Sequence, residues 1–425
     1  MNKSKILYIH HGKIIGGAPK SLRYLIKGVS EQSDISIKVL CAHPEMKNFF
    51  KINQNIIVDT MSIYSLILGR IFIGLAKLTN LKTIIFFLLD ILRSPYCIYN
   101  QINYFKKEQP DIIHLNSSIL WTSAVAAKIL NIPVVWHIRE NFVPTKFGIL
   151  AKFYGLFIKA MASHVICISP SEQKSINGQN CDHVTVIYNS IDFSSIDNGN
   201  SLMMDSLKKQ FKITDSDFVF LSLGGCSFRK GTYQLIESMQ YLDEKFKLII
   251  AGSHFNNRKQ IQYKKIKQFI LKIENFLFHC KLTKHYSWFY NDRIKMSLTD
   301  KNLSQIHFTG AVDNVYPLIK HCDVLIFAGT TPHFARPIYE AWALKKPVAA
   351  FDTEVMRKEI DHKMDGILMQ NHTGEQIAQT VLNLSKNPDY CKQLGEQGYK
   401  KSIERFHLSK NTKKLLAIYK ELLVK

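Results

Sequence analysis

The feature that most constrains this chain is a repeated alternation: short apolar runs, each followed by a longer segment with helical spacing. Residues 5–9 (KILYI), 35–40 (ISIKVL), 111–115 (DIIHL), 133–137 (PVVWH), 164–168 (HVICI) and 184–187 (VTVI) form a first series. A second series begins near residue 217 with 218–223 (FVFLSL), 246–251 (FKLIIA), 306–309 (IHFT), 323–328 (DVLIFA) and 347–351 (PVAAF). Runs that are apolar throughout suit strands covered on both faces, and strands that alternate with helices pair in parallel. The polar stretch 192–216, with Ser, Asp, Asn and Gly, separates the series and reads as a linker. A chain of 425 residues has room for two or three domains. The expectation is an α/β protein of two doubly wound domains.

Composition narrows the class of partner. Lys+Arg is 56 against 34 Asp+Glu, a net +22, which favours anionic partners: nucleotides, nucleic acid or an anionic membrane surface. The eight cysteines include no C-x-x-C pair, so no zinc or redox motif is read, and the chain is expected to be reduced and cytosolic. The N-terminal MNKSKILYIHHG lacks the long apolar core of a signal peptide. The most lipid-like stretch, 61–99, is interrupted by Arg70, Lys77, Lys82, Asp90 and Arg93, so a transmembrane helix is rejected in favour of a set of amphipathic helices. Between 254 and 303 lies a polar, basic insertion. From Arg258 to Lys295 it carries ten Lys/Arg against Glu274 and Asp292, with aromatic residues interleaved.

Four places carry polar residues where doubly wound sheets bind ligands, at the carboxyl ends of strands. Gly16-Gly17-Ala18-Pro19 joins the first strand to a helix, and such a turn lets backbone approach a phosphate at a helix N-terminus. His137, Arg139 and Glu140 close the VVWH strand; they suit a polar substrate, or equally a packed histidine beside an Arg–Glu ion pair. In LSLGGCSFRKG (221–231), Arg229 and Lys230 precede a helix whose dipole already repels cations, an arrangement a diphosphate would relieve. In HFARPIYEAW, Pro337 suits a first helical turn, Ile338 and Tyr339 are expected to present free N–H groups, Glu340 suits a ribose diol and Arg336 a phosphate. Asp215-Ser216-Asp217 has the D-x-D form of some metal sites, but it precedes a strand, so it reads as turn chemistry. His10-His11 reads as a strand-end pair rather than a metal pair.

Taken in order, GGAPKSL (16–22), PDIIHLNS (110–117), VVWHIRE (134–140), VICISPSE (165–172), VIYNSID (186–192), LGGCSFRKG (223–231), KLIIAG (247–252), IHFTGAVDNVYPLIKHCDVLIFA (306–328) and HFARPIYEAWALKKPVAA (333–350) resemble the retaining nucleotide-sugar glycosyltransferases of family 4. The resemblance implies the GT-B fold, two Rossmann-like domains facing across a cleft. It implies an N-terminal acceptor domain over 1–200, a nucleotide-sugar domain over 201–405, and a C-terminal helix, 406–425, returning to the first domain. It makes Lys230 the pyrophosphate ligand and Glu340 the ribose ligand. Backbone near Val312 would hold the base, Gly16 and Gly17 would face the leaving phosphate, and His137 would touch the donor sugar. The family's E-x7-E pattern departs here: Pro332 stands where the first Glu falls, with His333 beside it as a candidate replacement.

The expected activity is therefore retaining transfer from an NDP-sugar to a saccharide or lipid-linked saccharide in envelope polysaccharide assembly. His137, Arg229 and Lys230 are the catalytic candidates, and Gly16, Gly17, Val312, His333, Arg336, Ile338, Tyr339 and Glu340 the substrate-binding ones. No cofactor or metal is expected, since the two cations can neutralise the leaving group. The enzyme is expected in the cytoplasm, peripheral on an anionic membrane through 258–295 and 61–99, with no nucleic-acid partner. An NDP-sugar epimerase of the same fold and an inactive nucleotide-sugar binding subunit are the alternatives.

Overall fold

Thirteen strands are described, and both sheets are parallel throughout. The computed structural model describes residues 3–13, 15–62, 69–71, 73, 81–142, 149–196, 201–252, 294, 298, 300–330 and 335–424. Two units divide the chain: Met1–Asp192 together with Arg405–Lys425, and Phe193–Glu404. The division thus falls after 192 rather than after 200, and the chain re-enters the first unit at Arg405.

The first unit holds β1 (Lys5–His10), β2 (Ser36–Cys41), β3 (Ile57–Thr60), β4 (Ile112–Leu115), β5 (Val134–Ile138), β6 (His164–Cys167) and β7 (Val184–Val186), in the order β3-β2-β1-β4-β5-β6-β7. Alternate residues of the inner strands serve two separate cores. Ile6 and Tyr8 pack with Leu22 and Ile26 of α1 (Gly17–Gln32) and with Leu415 and Tyr419 of the C-terminal helix Leu408–Val424. Leu7 and Ile9 face the other way, toward Phe105 of α2 (Leu81–Glu108), Ala124 of α3 (Trp121–Ile129) and Ile158 of α4 (Ile149–Met161). This two-sided burial is why the strands read as unbroken apolar runs.

The second unit holds β8 (Phe218–Leu223), β9 (Phe246–Ala251), β10 (Ile306–Gly310), β11 (Val324–Phe327), β12 (Val348–Phe351) and β13 (Ile367–Met369), ordered β10-β9-β8-β11-β12-β13. The expected linker contains a helix, α5 (Ser201–Phe211). The D-x-D segment closes a turn: Asp217 accepts from the Thr214 N–H at 2.7 Å and its hydroxyl at 3.0 Å.

The sequence reading is incomplete at two strands. Strands β3 and β13 are absent from the sequence reading; both are edge strands of three or four residues, too short to give an apolar run. Within 61–99 the described residues are helical at 69–71 and again in α2, which runs unbroken from Leu81 to Glu108 through Pro95. Pro95 cannot donate to the Ile91 carbonyl, and the Ser94 hydroxyl does so instead at 2.8 Å. The basic segment 258–295 lies outside the described residues, Ile294 apart.

Candidate active site

Each sheet has one switch point where strand order reverses: β1 beside β4 in the first, β8 beside β11 in the second. Doubly wound sheets bind ligands outside the carboxyl ends of such strands. Nearly all of the expected site residues that are described fall at these two edges or on the elements that start there.

In the first unit, Gly16 caps α1 and Gly17 opens it, with no acidic residue in the first turn. Both are exposed, and a Cβ built on either meets nothing within 4 Å, so the helix N-terminus stands open to a ligand. Beside it lies a web of polar groups. The Asn116 amide donates to His10 Nδ1 at 3.1 Å, Arg139 Nε donates to Asn116 Oδ1 at 2.6 Å, and Arg139 Nη1 donates to Asn189 Oδ1 at 2.6 Å. Glu140 does not pair with the Arg139 guanidinium. Its carboxylate accepts from Ser117 Oγ at 2.5 Å, from Ser118 Oγ at 2.7 Å and from the Ser118 N–H at 3.0 Å.

His137 is only 2% exposed and ends a buried chain of hydrogen bonds. The Tyr419 hydroxyl donates to Tyr8 at 3.0 Å, so its oxygen accepts from His114 Nδ1 at 2.6 Å. His114 Nε2 is then bare and takes the proton of His137 Nδ1, 3.2 Å away. That leaves His137 Nε2 as a bare acceptor, buried and without a hydrogen-bond partner. Burial, aided by the charge of Arg139, pushes His114 down to about 3 and His137 well below the usual histidine range, so both rings are neutral. His10 is likewise pushed down to about 3, by burial first and then by His11, Arg139 and His43.

In the second unit, the chain leaves β8 through Gly224 and Gly225, both at positive φ, and turns through a short 3-10 segment, Phe228–Lys230. Gly231, at φ 64°, then opens α6 (Thr232–Ser238). Any side chain at Gly231 would drive its Cβ to 2.0 Å from the Ala328 carbonyl, so glycine is required for the turn to seat against the end of β11. Thr330 completes the join, donating through its N–H to the Arg229 carbonyl and through its hydroxyl to that of Phe228. The Lys230 side chain folds back over Gly224, where a Cβ would lie 2.8 Å from Cε, and its ammonium sits 5.5 Å from the centre of the Phe327 ring. Burial, then the neighbouring Arg229, lowers the Lys230 pKa. Arg229 itself is exposed.

The helix after β11, α7 (Arg336–Ala343), carries Pro337 in its first turn. One expectation fails here: the Ile338 N–H is not free but donates to the Ala335 carbonyl at 3.1 Å. Arg336 and Glu340 do not stand as separate ligands. Arg336 Nε donates to Glu340 Oε1 at 2.7 Å, and both side chains are nearly buried. Arg336 also lies over the Tyr339 ring, 5.7 Å from its centre. Val312 is half-buried in the loop after β10. His333 lies outside the described residues. Among the described residues there is no cluster of three or more His, Cys, Asp or Glu that could hold a metal ion.

Sequence reasoning passed over His114, Asn116, Ser117, Ser118, Asn189 and Tyr419. The available signal was a histidine inside the apolar strand DIIHL, since a buried polar residue is more informative than an exposed one. Its partner is 305 residues away, which no local pattern reveals.

Two family models match, together spanning most of the chain: "Glycosyltransferase Family 4" over residues 15–195 and "Glycosyl transferases group 1" over residues 203–401. The chain belongs to glycosyltransferase family 4. An uncharacterized glycosyltransferase of Methanocaldococcus jannaschii is 22% identical to this family 4 chain over 326 residues, 75% of this chain and 78% of that protein. The crystal structure of Anabaena HepE in complex with UDP and glucose matches with a TM-score of 0.71 at 16% identity, over 98% of this chain and 99% of that one. The UDP-GlcNAc 2-epimerase of Neisseria meningitidis bound to UDP-GlcNAc matches at 0.58 and 15% identity, over 98% and 100%. These likenesses fix the fold as GT-B, built from two parallel-sheet Rossmann-like domains. The protein is a GT-B glycosyltransferase.

Proposed function

We propose that this glycosyltransferase moves a sugar from a nucleoside diphosphate sugar, with retention, to a saccharide or lipid-linked saccharide in cell-envelope polysaccharide assembly. The observation that carries the donor class is the turn 224–231. A half-buried lysine, held beside a second cation and at the switch point of a parallel sheet, is relieved by a bound anion. The UDP complex of the Anabaena protein supports the same class.

In this reading Lys230 and Arg229 neutralise the diphosphate as it leaves, so no metal is required, and Glu340 accepts a ribose hydroxyl through the oxygen that Arg336 leaves open. The backbone near Val312 holds the base. The N-terminus of α1 at Gly16 and Gly17 offers N–H groups to the leaving phosphate, and the bare Nε2 of His137 accepts a sugar hydroxyl. Transfer is by front-face attack. The acceptor oxygen bonds to the anomeric carbon, the carbon–phosphate oxygen bond breaks, and the acceptor proton passes to the leaving diphosphate. Preorganised positive charge supplies most of the acceleration. A lipid-linked acceptor places the reaction at the cytoplasmic face of the membrane.

The test is product analysis with labelled NDP-sugars, with and without a membrane extract. A glycoside that keeps the donor's anomeric configuration by NMR is the expected result. An epimerised NDP-sugar formed without acceptor would replace this reading with the epimerase one, and binding without turnover would replace it with that of an inactive subunit.

A further inference from the structure

Strand β1, KILYIH, ends on a histidine, and a ring buried there needs a partner for each of its two nitrogens. His10 is 1% exposed, and among the described residues its ring has one hydrogen-bond partner, Asn116. The direction of that bond is set from outside. Arg139 donates from Nε to Asn116 Oδ1 and from Nη1 to Asn189 Oδ1, both at 2.6 Å. A guanidinium only donates, so the amide oxygen of Asn116 is turned to Arg139 and its nitrogen to His10 Nδ1, 3.1 Å away. An amide nitrogen also only donates, so Nδ1 carries no proton. Burial, then the charges of His11, Arg139 and His43, holds the ring neutral, with its pKa pushed down to about 3. Its single proton therefore sits on Nε2.

That Nε2–H is buried and meets no hydrogen-bond acceptor among the described residues. An orphaned buried N–H is rare in a folded chain and calls for an acceptor from outside it. Two neighbours shape the approach. The Phe50 ring packs edge-on against the imidazole, 5.4 Å between centres and 69° between planes. Gly12 passes so near that a Cβ on it would lie 2.8 Å from Nε2, so glycine keeps that edge of the ring clear.

Tyr8, two residues before His10, and Val135, two before His137, both pack in the core that α1 covers. Strand alternation places His10 and His137 on the same face, at the carboxyl edge where the exposed Gly16 and Gly17 begin α1. The two bare ring atoms differ in polarity: His137 Nε2 accepts, and His10 Nε2–H donates.

We infer that His10 is a specificity-determining residue of the transfer, giving its Nε2–H to a hydroxyl oxygen of the donor sugar, and that Arg139 is its positioning residue rather than a substrate ligand. The sugar is then read with fixed polarity: one hydroxyl accepts from His10 and one donates to His137. A deoxy carbon can do neither, so the pair selects a sugar that carries oxygen at both places. The inference rests on the transferase reading for the identity of its ligand.

The test measures the affinity of the full-length protein, by calorimetry, for UDP-hexoses and their deoxy and deoxyfluoro analogues, one hydroxyl changed at a time. At one position wild type should lose about five- to tenfold when hydrogen replaces the hydroxyl and less when fluorine does, because fluorine still accepts. His10→Ala should bind the parent and that deoxy sugar alike. By 15N NMR, Nε2 should be the protonated nitrogen of His10. Arg139→Lys keeps the charge but cannot hold Asn116 and Asn189 together. It should mix the His10 tautomers and erase the same discrimination, whereas an arginine that only packs would lower the melting temperature and leave the tautomer alone. Should His10→Ala not fold, wild type alone decides. A proton on Nδ1, or no position where fluorine is tolerated better than hydrogen, overturns the proposal. The transferase reading fails on the parent sugar, and this one only on the analogues.

Discussion

The two switch points face the same topological position with opposite chemistry. In the first unit the edge is built mainly from neutral, buried, hydrogen-bonded groups, His10, His114, His137, Asn116 and the hydroxyls of Tyr8 and Tyr419, with Arg139 bonded to Asn116 and Glu140 held by Ser117 and Ser118. In the second it is a glycine turn bearing two cations, one exposed and one half-buried over Gly224. The buried histidine chain leaves His137 Nε2 as a bare acceptor, so it can read a hydroxyl. A cationic turn, with Lys230 half-buried beside Arg229, suits an anionic group. One fold thus divides its labour by burial, with orientation on the first sheet and charge on the second.

The sharpest way to break this contrast is acid. His10 and His114 are held neutral with pKa values of about 3, against about 6.5 in the unfolded chain. Between those limits the unfolded state binds more protons than the folded one, so stability rises with pH and is lost as pH falls from 6.5 toward 3. From pH 6.5 to 4.5 the two rings together withdraw at most about 4–5 kcal/mol, and His137 adds to this. The second unit has fewer such groups among the described residues, His307 at about 4 being one. Hydrogen exchange followed by mass spectrometry should show the first unit losing protection at a higher pH than the second. Equal loss in both would mean the histidine web is not what separates them.

Next in size is the second switch point itself. Hydrogen bonds to charged groups are worth about 1.5–3 kcal/mol, so Lys230→Ala should lower transfer about tenfold to a hundredfold. Lys230→Arg should recover only part of this, because the planar guanidinium cannot fold over Gly224 as the ammonium does. NDP affinity should fall in the alanine variant and nucleoside affinity should not. Calorimetry with both ligands decides it, and parallel losses would remove Lys230 from the diphosphate.

How far each edge could be read from sequence follows the same division. The second edge was largely legible, because a glycine turn, two cations and a proline-led helix are local signals spaced over a few residues. What sequence missed there was pairwise: Arg336 reaches one turn along to Glu340, and the Ile338 N–H closes on Ala335. The first edge was legible only in part. His137 and the glycines stood out, but the groups that orient His137 come from β4 and the C-terminal helix, brought together only by the fold. The strands were legible wherever both faces are buried. β3 and β13 were not: β3 (Ile57–Thr60) has only two apolar residues before Asp59, and β13 (Ile367–Met369) is three residues long.

A smaller effect should come from the far end of the histidine web. Tyr419→Phe removes the hydroxyl that fixes the His114 tautomer, at a cost of about 1–3 kcal/mol for the buried partner left unpaired. A purely structural loss would lower the melting temperature and leave His137 as it was. If the chain orients His137, its ring nitrogens should instead show a mixture of tautomers by 15N NMR, and kcat should fall while the donor KM holds. A single unchanged His137 tautomer in the variant would reduce Tyr419 to a packing residue.

The smallest expected effect tests whether α7 belongs with the charge chemistry or with the packing. Glu340 has one oxygen bonded to Arg336 and sits one turn into the helix after β11. Glu340→Gln keeps the shape and can still accept from Arg336, but it removes the charge that strengthens a hydrogen bond from a ribose hydroxyl. Charge-assisted hydrogen bonds are about twice as strong as neutral ones, so the difference is about 1 kcal/mol, or about fivefold in donor KM. Turnover should change little, because the ribose is remote from the anomeric carbon. The same substitution leaves Arg336 nearly buried opposite a neutral partner, so the melting temperature should drop by a few degrees whichever role is correct, and KM is the deciding measurement. A raised KM with near-normal kcat assigns Glu340 to the nucleotide. An unchanged KM alongside a lowered melting temperature means that the Arg336–Glu340 pair only staples the helix.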